Sequence, residues 1–95
     1  MAKKTIEQAF PGKKADELYV EVEKVIRRLG EKFGIECQYD AGKRCIVVPE
    51  KMGVKGLCTV TDGQVKVDLE HGMMGGLVAG QVKTYVEEKL GKLFS

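Results

Sequence analysis

Very little equipment for covalent or metal chemistry is present in this chain of 95 residues. Serine occurs only as Ser95 and histidine only as His71, so a serine-based catalytic triad is excluded. Cysteine occurs three times, an odd number, as Cys37, Cys45 and Cys58, with no Cys-x-x-Cys knuckle. A disulfide framework requires pairs and an oxidising compartment, and a zinc site ordinarily shows closely spaced thiols. The expectation is three reduced cysteines packed as small hydrophobes, with no metal and no cofactor. No apolar run approaches the roughly 20 residues that span a bilayer. The basic start Met1-Ala2-Lys3-Lys4 has no secretory-type apolar stretch behind it, so the expected location is cytoplasmic. Charge of one sign is not in excess either, since 16 Lys+Arg against 14 Asp+Glu leave +2. Nucleic-acid binders concentrate basic residues in a stripe. Here Lys13, Lys14, Arg27 and Arg28 are interleaved with Asp16, Glu17, Glu21 and Glu23, as on a solvated helix face. Nucleic acid is not an expected partner.

What is present is a globular balance, 43% hydrophobic and 32% charged, in a chain long enough for one domain. Residues 1–12 read as an N-terminal arm or short edge strand closed by Pro11-Gly12, and 13–94 as the core. From Lys14 to Leu29 or Phe33, apolar residues at Leu18, Val22, Val25 or Ile26, Leu29 and Phe33 form one helical stripe, with Gly34 placed to stop it. The period then changes to two. Ile35–Tyr39, Lys43–Val48 closed by Pro49, Lys55–Thr61 and Gln64–Glu70 read as four strands. Asp62-Gly63 marks a tight hairpin whose two turn positions favour positive φ. A second stripe, Val78, Val82, Tyr85 or Val86, Leu90 and Leu93, predicts a last helix. The fold class is α+β: a four-stranded antiparallel meander with N- and C-terminal helices on one face.

Turn positions then predict faces. Centring the last hairpin on Asp62-Gly63 sets Val60 opposite Val65 and Cys58 opposite Val67. Centring the first on Ala41 sets Cys37 opposite Cys45 and Ile35 opposite Val47. With Cys45 facing Cys58, all three thiols lie on the helix-covered face. The open face then carries Ile46 opposite Leu57, with Val48 nearby, among polar residues. Such residues are either central-strand formers without further role or a contact patch, self-association into a homodimer being the simplest contact.

Gly72-Met73-Met74-Gly75-Gly76 leads into the last helix. It lacks the Gly-Lys-Ser/Thr ending of a phosphate-binding loop, so a structural turn is the reading. Met73 and Met74 either fold back to plug the end of the core or adapt to a partner's apolar surface. His71 reads as a solvent-exposed residue at a strand end, and no convergent pair of carboxylates is visible. An enzyme is the poorer hypothesis.

The run Gly53-Val54-Lys55-Gly56-Leu57, the Asp62-Gly63 hairpin, Val65-Lys66-Val67-Asp68-Leu69, and Gly72-Met73-Met74 leading to Gly80-x-Val82 resemble the polyhydroxyalkanoic acid system protein family. The junction Gly30-Glu31-Lys32-Phe33-Gly34-Ile35 is similar as well, and the resemblance spans roughly 14–94. Met73 and Met74 stand where that family tends to Phe, Leu or Trp, and Gly75-Gly76 where a proline is common. The resemblance implies a role in polyhydroxyalkanoate metabolism or at its granules and supplies no catalytic residues. The expected function is non-enzymatic binding of a hydrophobic surface, a granule or granule protein, or a second copy, with Ile46, Val48, Leu57, Met73 and Met74 as contacts. A nucleic-acid-binding or small hydrophobic-ligand-binding module is the alternative.

Overall fold

The amphipathic stripe after Lys14 forms the first helix, α1 (Ala15–Phe33), in a computed structural model that describes residues 2–94. Leu18, Val22, Ile26 and Leu29 are buried along it, as their spacing requires. Gly34 ends it in the left-handed region (φ 68°), and the Gly34 and Ile35 amides both return to the Gly30 carbonyl. At the other end, the Ala15 amide donates to Asp62 Oδ1 at 2.8 Å. The helix is thus capped from a hairpin far along the chain rather than by its own Lys14. Asp62→Ala should lower stability by about 0.5–2 kcal/mol, the usual cost of a lost cap, read as a lower urea midpoint.

The rest of the chain forms β2 (Gln38–Asp40), β3 (Cys45–Lys51), β4 (Val54–Thr61), β5 (Gln64–His71), a 3₁₀ turn (Met73–Gly75) and α2 (Gly76–Gly91). The four strands follow one another as a meander, as expected, although the first is only three residues long and begins at Gln38 rather than Ile35. The N-terminal arm, however, is a full strand, β1 (Ala2–Ala9), paired antiparallel with β5, giving a five-stranded sheet in the order β1-β5-β4-β3-β2. Ile6 faces the core from β1 opposite Val67, while Thr5 faces out and donates to Asp68 at 3.0 Å. Val82, Val86 and Leu90 of α2 join the α1 stripe and the inner residues of the sheet in one core.

The last hairpin has the expected register, Val60 opposite Val65 and Cys58 opposite Val67. Only Gly63 takes positive φ (77°) in its turn; Asp62 does not. The first hairpin corrects the expectation. Gln38 pairs with Val47, Tyr39 with Ile46 and Asp40 with Cys45, so the turn is the longer Ala41–Arg44. Asp40 Oδ1 accepts from the Lys43 amide at 3.0 Å, and Arg44 enters the left-handed region (φ 52°). The displacement turns β3 over, because side chains alternate along a strand. Ile46, opposite Cys58, and Val48 are buried, so neither belongs to an open contact surface. Val47 takes their place, directly opposite Leu57, and Cys45 faces outward beside Thr59. Pro49 does not end β3. It lies where the β3–β4 register shifts, an irregularity that accommodates a residue without an amide hydrogen.

Candidate functional site

Two turns meet at one end of the molecule. Met52 (φ 53°) and Gly53 (φ 78°) join β3 to β4 with Lys51 paired to Val54, the two-residue hairpin in which both positions are left-handed. Against it lies the Met73–Gly75 turn, closed by the Gly75 amide on the Gly72 carbonyl at 3.1 Å. The Gly72 amide also donates to the Gly53 carbonyl at 3.3 Å. A methyl group on Gly75 would stand 2.5 Å from the Gly53 carbonyl oxygen, so the two backbones touch where neither residue has a side chain. With Gly75 pressed against Gly53, the two methionines before it point out. Met73 is 99% exposed and Met74 92%, and Leu77, in the first turn of α2, is 77% exposed. Met52 adds a half-exposed side chain from the facing turn. Of the two readings of Met73 and Met74, the plug of the core is therefore excluded. Sequence reasoning missed Met52 and Leu77. The Met-Gly pair at the hairpin was a usable sign of the first, but the second lies off the apolar stripe by which its helix is read.

His71 is half-buried beneath these turns rather than solvent-exposed. Its Nδ1 lies 3.0 Å from the Gly72 carbonyl oxygen, and its ring packs beside Gly76. The thiols are dispersed. Cys58 is buried in the core, where desolvation first and the nearby Cys45 second push its pKa up to about 12, leaving it inert as a nucleophile at neutral pH. Cys37 is half-buried against the core, and burial raises its pKa too. Among the described residues no group of three or more His, Cys, Asp or Glu side chains is arranged to hold a metal ion.

The open sheet face forms a second, smaller apolar surface. Val47 and Leu57 are 40% and 42% exposed at its centre. Around them Lys3 pairs with Asp68 at 3.8 Å and Lys55 with Glu70 at 3.6 Å. The aromatic Tyr39 faces the core, under the Arg27 guanidinium at 4.1 Å, and offers the open face no stacking platform. Of the five sequence-derived contact residues, the structure brings Met73 and Met74 together, leaves Leu57 on the sheet face, and buries Ile46 and Val48.

No described helix is long and apolar enough to cross a membrane. No curated protein and no solved structure matches the chain. A family model does, described as "Putative polyhydroxyalkanoic acid system protein", over residues 12–94. That span takes in every helix and strand except β1, and with it both glycine-backed turns and the hairpin that caps α1. The chain belongs to the polyhydroxyalkanoic acid system protein family.

Proposed function

We propose that this is a small cytoplasmic, non-enzymatic protein that binds hydrophobic surfaces, docking by its methionine end onto the polyester of polyhydroxyalkanoate granules. The observation that carries this reading is the near-complete exposure of Met73 and Met74 on a turn braced by backbone contact. Unbranched thioether side chains adapt to irregular apolar surfaces, which suits a polymer without a fixed shape. Burying one such side chain is worth about 1.5–3 kcal/mol. Association costs an estimated 4–15 kcal/mol. Docking therefore needs Met73, Met74, Leu77 and Met52 together, and a single methionine would be insufficient.

Sedimentation with purified polyhydroxyalkanoate particles tests this. A double variant, Met73→Asp with Met74→Asp, should lose at least tenfold in partitioning while keeping its circular dichroism and unfolding midpoint. Undiminished sedimentation of that folded variant would remove the methionine end from the interaction. A second reading, a homodimer through the open sheet, is favoured by the direct apposition of Val47 and Leu57. A monomeric mass by light scattering at high protein concentration would dismiss it.

A further inference from the structure

The two helices leave an open groove of about 710 Å³ on their outer side, lined by Lys32 and Phe33 from the end of α1 and by Leu77, Gly80, Tyr85 and Glu88 from α2. From Gly76 to Glu88 the α2 wall extends about 18 Å at 1.5 Å per residue. Part of its floor is bare backbone, since a methyl group on Gly80 would meet no atom within 4 Å. The groove is polarised along its length. Leu77, in the first turn of α2, makes the end beside the methionine turn apolar. Further along α2, the ammonium groups of Lys32 and Lys89 lie 5.1 Å and 5.5 Å from the centroid of the Tyr85 ring. Neither lysine forms an ion pair among the described residues. Glu88, the one carboxylate in the lining, has the Lys92 ammonium 3.4 Å away. Lys32 in the lining and Lys89 next to it thus place two cations without an ion pair around Tyr85, while Leu77 supplies apolar surface at the far end, with Gln81 and Thr84 between.

We propose that this groove binds an amphiphilic carboxylate, a medium-chain fatty acid. Its chain lies over Gly76 and Gly80 toward Leu77, and its carboxylate accepts charge-assisted hydrogen bonds from Lys32 and Lys89. Charge complementarity at one end and apolar lining at the other select a ligand with a single anionic head. This is separate from docking to a particle, although Leu77 borders both surfaces.

Calorimetric titration of the full chain with decanoate and with decanol, both below their aggregation limits, tests the assignment. Decanoate should bind saturably at one site, and decanol at least tenfold more weakly. Lys32→Gln with Lys89→Gln should weaken decanoate at least tenfold and leave decanol unchanged. Gly80→Leu fills the floor where there is room for it, and should abolish both while preserving the unfolding midpoint and the partitioning onto particles. That last readout separates failure here from failure of the docking reading. Absence of saturable decanoate binding, or binding indifferent to Gly80→Leu, overturns the proposal. A wild-type chain that ignores decanoate but self-associates, and ceases to do so with Gly80→Leu, would assign the groove to a helix of a second copy instead.

Discussion

Ile46→Ala should lower the stability of the protein by about 2–5 kcal/mol, the cost of emptying a fully buried aliphatic site. Its neighbour Val47→Ala should stay within about 0.5 kcal/mol, as substitutions outside the core do. Ile46 has no exposed surface, and it lies opposite Cys58, which has none either. The methylenes removed there lose contacts on all sides, and the cavity left behind adds to the transfer cost. Val47, one residue on, has 40% of its surface in water on the other side of the same strand. For a domain of this size each kcal/mol corresponds to about 4–8 °C, so thermal unfolding separates the two variants easily. Equal effects, or the reverse order, would mean that β3 presents its other face to the helices.

Gly75→Ala should cost about 1–3 kcal/mol, the range for forcing extra atoms into a packed site. The new methyl would lie 2.5 Å from the Gly53 carbonyl oxygen and 2.8 Å from its carbon. Backbone in a two-residue turn has no rotamer by which to retreat, so the turns must part. Gly75 itself has a negative φ of −92°, open to alanine, so the cost is mainly steric rather than conformational. Gly72→Ala, where a methyl group meets nothing within 4 Å, is the matched control and should be near neutral. If Met73 and Met74 are presented by this contact, Gly75→Ala should also weaken sedimentation with particles, whereas Gly72→Ala should not.

The difference between β3 and β5 shows what could be read from residues alone. β5 alternates cleanly, Val65, Val67 and Leu69 against Lys66, Asp68 and Glu70, so polarity fixes its inner face without structural knowledge. In β3 the run Ile46-Val47-Val48 is apolar at three successive positions, and either face could be the buried one. The decision then falls to the turn. A hairpin centred on Ala41 gives one answer, and the wider Ala41–Arg44 turn, braced by the Asp40 side chain, gives the other. Arg44 in a left-handed conformation is invisible to propensity, because long side chains rarely adopt it. The helices posed no such difficulty, their stripes being long enough to define one side. The methionine end was half legible: Gly72 to Gly76 announced a turn, but its packing on Gly53 joins residues far apart in the chain. No local pattern encodes that contact, and it decides which way the methionines point.

The pairing of β1 with β5 has a consequence for synthesis. Strand β5 leaves the ribosome well after β1, with three strands and a helix made between them, so β1 waits longest of the five for its hydrogen-bonding neighbour. Closing so wide a span is also entropically the most demanding step in assembling the sheet. During that delay the segment Ala2–Ala9 exposes a single bulky aliphatic residue, Ile6, flanked by lysines, threonine, glutamate and glutamine. Its meagre greasiness keeps the waiting ribbon a poor seed for clumping with its siblings.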